Sequence, residues 1–166
     1  MVTAEDVKRL RAETGAGVMD SKRALEESGG DFEAARRLLR ERGIAAATKR
    51  ADRATGQGLV EAYIHGDGRI GALVEVNCET DFVARTDTFR RLARDVAMQV
   101  AAMNPRGLTA EDVPGDVEGD RSEHALLEQP FIKDASQTIG ELLREAIAQT
   151  GENIRVANFA RFELGG

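Results

Sequence analysis

Several residue types are scarce in this chain of 166 residues, and each shortage excludes a class of function. The single cysteine, Cys78, has no partner for an intrachain disulfide and no second thiol at metal-binding spacing, so we expect a buried structural thiol. The two histidines, His65 and His124, leave little for acid–base catalysis or metal binding. With one tyrosine and no tryptophan, few side chains could stack on nucleic-acid bases. We therefore expect no catalytic residue, no metal site and no cofactor.

Acidic and basic side chains are unevenly distributed along the chain. Residues 1–58 contain 12 Lys and Arg and 10 Asp and Glu, whereas residues 59–166 contain 11 Lys and Arg and 19 Asp and Glu. The formal net charge of the whole chain is −6. An acidic main body lacks the basic footprint that nucleic-acid binding needs. No apolar run approaches the ~20 residues of a membrane span, and the N-terminus has no secretory signal. The composition predicts a cytoplasmic protein that binds neither nucleic acid nor membrane.

The first 45 residues predict a small module of three helices. Thr3 is a suitable N-cap for the first helix, and Asp6 stands three residues later, where a capping-box acid belongs. Apolar residues recur at helical spacing through the module, and Gly43 is expected to end the third helix. Residues 46–58 are alanine-rich and locally basic, which predicts a linker whose first half could be helical.

Residues 59–166 predict a core of class α+β, with about three antiparallel strands packed with two helices. The apolar residues of the last strand, Ile154, Val156, Phe162 and Leu164, are expected on one side of it. The predicted strands are Leu59–His65, Arg69–Asn77 and Ile154–Leu164. One predicted helix has an apolar stripe from Phe89 to Ala101 and ends at Asn104, and the other spans about Ser136–Thr150.

An acidic loop over residues 106–125 interrupts this core. It has no apolar periodicity, so we expect a solvated loop that contributes little to the core, in preference to a docking patch.

Three glycines, Gly66, Gly68 and Gly71, match the spacing of a dinucleotide-binding fingerprint. That fingerprint needs a helix directly after the glycines, whereas a strand pattern follows here, so we expect a hairpin turn. The chain also lacks the sequence of a phosphate-binding loop. We therefore predict that it binds no nucleotide directly.

Two short segments leave their interpretation open. Val18 and Met19 follow a two-glycine turn and could either cover the three-helix core or form a docking surface. Phe82 stands in a polar connection between a strand and a helix. It could fold back onto the core, which physical reasoning alone slightly favours, or be presented to a partner as an interface anchor.

Long stretches of the chain resemble the elongation factor Ts family. The resemblance covers nearly everything outside residues 106–125. It rests on residues Leu10–Leu25, with the pattern LRxxTGAGxMDxKxAL, on Leu38–Gly43, on Val74–Arg85, with the sequence VEVNCETDFVAR, and on the C-terminal segments Gly151–Ile154 and Arg161–Leu164.

The resemblance implies an exchange factor for the translational GTPase elongation factor Tu, acting by binding and not as an enzyme. Residues 1–45 would be a ubiquitin-associated-like module that docks on the partner, with Val18, Met19 and Lys22 in the docking segment. A generic adaptor that uses this helical module to bind another protein is the alternative.

The resemblance also implies roles for Thr80, Asp81, Phe82 and Val83. This loop would enter the partner beside its magnesium site, with Phe82 as a wedge between helices and Asp81 disturbing the groups that hold Mg²⁺. Longer family members carry two core halves and a coiled coil, which are absent here. Short members pair two chains, which implies a homodimer and a two-plus-two complex. The exposed edges of a small sheet favour pairing through the core.

Overall fold

The computed structural model describes all 166 residues, which form six α-helices and five β-strands. They divide into two compact units, residues 1–52 with 144–152 and residues 53–143 with 153–166. No helix combines the length and the apolar character needed to cross a membrane. In chain order, the elements are α1 (Ala4–Thr14), α2 (Val18–Glu27), α3 (Phe32–Arg50), β1 (Gln57–His65), β2 (Ile70–Cys78), α4 (Asp81–Ala84), α5 (Asp87–Met103), β3 (Pro130–Phe131), β4 (Asp134–Thr138), α6 (Ile139–Thr150) and β5 (Ile154–Glu163).

The three N-terminal helices form the predicted helical module around a small apolar core. Thr3 and Asp6 complete a reciprocal capping box at the start of α1, which confirms the N-cap prediction. The Thr3 hydroxyl and backbone N–H both donate to the Asp6 carboxylate and lower its pKa. The buried residues of this core are Val7, Leu10, Ala24, Leu25 and Ala35.

Helix α3 does not end at Gly43, so that prediction is wrong. The helix continues to Arg50 through the first half of the predicted linker. A glycine inside a helix costs only about 1 kcal/mol relative to alanine. The alanines at 45–47 are strong helix formers that favour continuation of the helix after Gly43.

The predicted α+β core is confirmed, with a three-stranded antiparallel sheet in the order β1-β2-β5. β1 and β2 form a hairpin whose turn contains Gly66, Asp67 and Gly68, all with positive φ. A strand therefore follows the glycine-rich segment, as expected for a hairpin turn. Helix α5 packs on the inner face of this sheet, where β2 places Ala72, Val74 and Val76.

Strand β5 contains a bulge that the sequence pattern did not reveal. The register shifts between Glu75 and Val76, whose partners are Asn158 and Val156, so Ala157 is an extra residue in β5. Such a residue shifts the in–out alternation of the strand by one position.

The bulge corrects the expected burial of the last strand. Ile154 and Val156 are buried as predicted, but Phe162 and Leu164 lie beyond the bulge and are exposed. Phe162 pairs with Gly71 and faces away from α5, with 70% of its surface accessible. The prediction that all four residues share one side is therefore wrong.

The acidic loop contributes to the core, contrary to expectation. Val113 is almost fully buried, and the Arg121 guanidinium donates a hydrogen bond to its carbonyl oxygen. Gly107 and Ala125 form a parallel bridge that brings the two ends of the loop together. The two buried side chains of the loop, Val113 and Ala125, are twelve residues apart and give no periodic signal, which is why the sequence did not reveal this contribution.

A small second sheet, β3–β4, was also not predicted. The buried Gln99 side chain of α5 holds it by donating to the Pro130 carbonyl at 3.0 Å and accepting from the Ile132 N–H at 3.0 Å. These bonds satisfy a polar side chain that would otherwise be costly to bury.

Val113→Ala is expected to lower the free energy of unfolding by about 2 kcal/mol, because two buried methyl groups are lost and a cavity remains. For a chain of this size, the melting temperature should fall by roughly 4–8 °C. Val117→Ala, in the same loop but only half-buried, is the matched control and should have a smaller effect. Equal melting temperatures for Val113→Ala and the unmodified chain would contradict the packing role of the loop.

Candidate functional site

The segment Thr80–Val83 lies at the end of the central strand β2, where the chain turns into one short helical turn, α4. Thr80 is the N-cap of this turn, and its hydroxyl oxygen accepts a hydrogen bond from the Val83 N–H at 3.3 Å. Thr86 caps the following helix, α5, in the same way through the Phe89 N–H. Two successive threonine caps therefore shape the chain between the sheet and the long helix.

Phe82 projects into solvent from α4, with 78% of its surface accessible. Ala84, in the same turn, is buried, so the turn rests on the core through one residue and exposes another. The expectation that Phe82 folds back onto the core is wrong. An exposed ring on a capped turn next to a sheet is a geometry suited to insertion into an apolar pocket of a partner.

Asp81 and Arg85 form an ion pair across this turn, with 3.1 Å between the Asp81 carboxylate and the Arg85 guanidinium. The side chains are 49% and 73% accessible, so the pair is screened by solvent and contributes little to stability. The Asp81 carboxylate is accessible to a partner, and Arg85 partly neutralises it in the free protein. The sequence indicated both residues but not their pairing.

The Cys78 thiol is fully buried, which confirms the expectation of a structural cysteine. Its Sγ donates to the Thr80 carbonyl oxygen at 3.1 Å. The thiol therefore fastens the beginning of α4 to the end of β2. No three His, Cys, Asp or Glu side chains of the chain come together in a way that could hold a metal ion.

The second set of predicted residues, Val18, Met19 and Lys22, lies in the first turns of α2. Val18 is 53% and Met19 59% accessible, so these two apolar side chains do not cover the three-helix core. Lys22 forms an exposed ion pair with Glu26 at 3.7 Å. These residues belong to one compact unit and Thr80–Val83 to the other.

The turn before α2 favours glycine at position 15. Gly15 has φ +68°, and a Cβ there would collide with the Gln149 side chain. The Glu145 carboxylate lies beside the same position, and burial raises its pKa. The positive φ therefore favours the glycine of the TGAG segment, whereas the flexible end of the Gln149 side chain could move aside for a Cβ.

The outer sheet face is an apolar surface that sequence reasoning missed. We use this name for the side of the β1-β2-β5 sheet that faces away from α5. Leu73 lies at its centre, opposite Ala62 on one side and Ala160 on the other. The apolar residues of the face are Val60, Ala62, Ile64, Leu73, Ala160 and Phe162. The alternation of Val60, Ala62 and Ile64 in β1 was an available signal, whereas the bulge concealed the contribution of β5.

Comparison with known proteins identifies the family. The family model for "Elongation factor TS" matches residues 33–120 and 113–166. Elongation factor Ts of Carboxydothermus hydrogenoformans is 50% identical over 99% of this chain and 90% of its own length. The corresponding protein of Rubrobacter xylanophilus is 48% identical over 96% of this chain and 97% of its own length. The protein of Caldanaerobacter subterraneus subsp. tengcongensis is 49% identical over 99% of this chain and 98% of its own length.

The alignments with the relatives are longer than this chain. The alignment with the Carboxydothermus protein runs over 195 positions against 166 residues here, so about 30 positions have no counterpart in this chain. The two pieces of the family match meet at residues 113–120, within the acidic loop. The family model covers most of the chain and relatives about half identical cover nearly all of it, so the chain belongs to the elongation factor Ts family of translation elongation factors.

Proposed function

We propose that the protein is a guanine-nucleotide exchange factor for elongation factor Tu, which binds the GDP-bound GTPase and promotes GDP release so that GTP can enter. The observation that carries the proposal is the exposed Phe82 on its capped turn, within the sequence signature of the family. The helical module supplies affinity through Val18, Met19 and Lys22, and the α4 turn supplies the exchange activity.

The α4 turn acts on the magnesium site of the partner. Phe82 enters between helices of the GTPase, and Asp81 displaces groups that hold Mg²⁺. Because Mg²⁺ bridges and neutralises the nucleotide phosphates, its loss weakens GDP retention. When the complex forms, Asp81 must lose its ion pair with Arg85 and make contacts with the partner instead. Because both side chains are exposed to solvent, the loss of this ion pair costs little free energy.

The thermodynamics of this mechanism require only binding. A factor that prefers the nucleotide-free GTPase over the GDP-bound form lowers GDP affinity by the same ratio. No bond is made or broken, so the protein acts without being an enzyme and without a cofactor. Since its partner works in translation, we place the activity in the cytoplasm.

A homodimer in a two-plus-two complex with the partner completes the proposal. The sheet edges suggested by the sequence are a weaker support than the outer sheet face, where six apolar residues from all three strands form one surface. Two such faces can stack as a sandwich about 10 Å thick, which is how sheets normally bury apolar surfaces.

A nucleotide-release assay tests the exchange function. Elongation factor Tu is loaded with a fluorescent GDP analogue and mixed with increasing amounts of the protein and excess unlabelled GDP. We expect the release rate to rise with factor concentration to a plateau. Calorimetry of the chain alone with GDP should show no heat of binding. Tight binding to the GTPase with no acceleration would refute the exchange function and support the alternative of an adaptor that acts through its helical module.

A further inference from the structure

The segment that leads into α4 is fastened to two distant parts of the chain. One Glu79 carboxylate oxygen accepts a hydrogen bond from the Asn153 N–H at 2.7 Å. The Asn153 side chain donates in turn to the Arg53 carbonyl oxygen at 2.9 Å. The Arg53 guanidinium lies 3.5 Å from the same Glu79 oxygen. We call these three residues the loop clamp.

The loop clamp stands where the sheet ends. Cys78 and Ile154 are the last residue pair between β2 and β5, and Glu79 and Asn153 follow them directly. At the position directly after this last pair, the Glu79 side chain accepts a hydrogen bond from the Asn153 N–H. Asn153 is 5% accessible, so its polar groups need protein partners. The clamp therefore joins the end of β2, the start of β5 and the segment that leads into β1, at the point where the chain passes from the sheet to α4.

We propose that Glu79 is a positioning residue of the exchange site, which fixes the direction of the Thr80–Val83 turn and thereby the place of Phe82. The proposal rests on the exchange function proposed above. Glu79 is three residues before Phe82, and its side chain is only 23% accessible, turned toward Asn153. It acts through Phe82, because a wedge is effective only if its ring reaches the partner in a fixed orientation.

A double-mutant cycle separates positioning from general stability. Glu79→Ala is expected to lower the saturated GDP-release rate about tenfold while leaving the concentration for half-maximal effect nearly unchanged, because the helical module is intact. Glu79→Gln keeps an acceptor for the Asn153 N–H and should lose less than about threefold. In a Phe82→Ala background, Glu79→Ala should have no further effect, since contacts that act through one another are not additive. Glu118→Ala, which removes an exposed carboxylate outside the loop clamp and the α4 turn, is the matched control and should be close to the unmodified protein.

A structural measurement keeps the test independent of the exchange assay. Amide hydrogen exchange in the free protein should accelerate in Glu79→Ala at Val83, Ala84 and Arg85, whose N–H groups bond within the turn, and stay unchanged in β1. Should Glu79→Ala unfold, Glu79→Asp, which keeps the charge but shortens the reach to Asn153, should show the same loss of rate and the same local acceleration.

Two results would overturn the proposal. One is a normal saturated rate, together with unchanged amide exchange, in the folded variant used. The other is a loss of rate that adds in full to that of Phe82→Ala. If the unmodified protein itself does not accelerate GDP release, the exchange function fails, and the amide-exchange comparison alone then decides whether Glu79 positions the turn.

Discussion

Phe82→Ala is expected to lower the saturated rate of GDP release from elongation factor Tu by about thirtyfold. Truncating an aromatic interface anchor typically costs about 2 kcal/mol or more, and each 1.4 kcal/mol is a factor of ten in rate. The loss should persist at saturating factor, because a wedge acts within the complex and not only in forming it. Stopped-flow fluorescence with a labelled GDP analogue measures this plateau.

The stability of the same variant is the control for this prediction. Because Phe82 is 78% accessible, its truncation should change the free energy of unfolding by less than about 0.5 kcal/mol, as for most surface substitutions. Phe82→Leu keeps an apolar side chain and should lose less rate than alanine. A melting temperature lowered by about 10 °C with a normal plateau would show that the ring supports the fold, since burial of a phenylalanine is worth ~3–5 kcal/mol.

Leu73→Glu is expected to convert the proposed homodimer into a monomer. Leu73 lies at the centre of the outer sheet face, between Ala62 and Ala160. In a two-fold dimer the substitution would bury one unpaired carboxylate from each copy, and each costs several kcal/mol. The dissociation constant should rise by roughly a thousandfold or more, since 1.4 kcal/mol is tenfold.

Light scattering at micromolar concentration measures this change. The unmodified protein should give twice the chain mass of 18.0 kDa, and Leu73→Glu should give the mass of one chain. Ile132→Glu adds the same charge at a comparably exposed apolar residue outside this face and should remain dimeric. A monomeric unmodified protein would refute the dimer, whereas a dimeric Leu73→Glu would place the interface elsewhere.

Local signals in the sequence were sufficient for the longer helices and the hairpin, although the helix predicted over Ser136–Thr150 begins only at Ile139, after β4. The Thr3–Asp6 capping box and the glycine turn at 66–68 each depend on a few neighbouring residues, and the structure contains both. The stop at Gly43 was wrong, because the glycine penalty is small and a run of alanines follows it. The sequence could therefore locate most elements but not every end.

Features that depend on distant residues could not be predicted. The bulge at Ala157 exists because of pairing with β2, and the burial of Val113 depends on where the acidic loop crosses the core. The loop clamp joins Glu79 to residues 26 and 74 positions away along the chain. For the candidate site, the sequence identified Phe82 and Met19, but only the structure decides that both side chains are exposed.

The shortness of α4 has a consequence for attempts to imitate the protein with a peptide. A helix of four residues cannot form alone in water, because nucleating one turn is unfavourable by a factor of about a thousand. In the folded chain, Thr80 and the thiol of Cys78 impose the turn before any partner arrives. A linear decapeptide carrying the ETDFV sequence would have the same side chains but would have to order them during association, so it should compete poorly with the whole protein. A cross-linked mimic that holds both ends of the turn would recover that lost affinity.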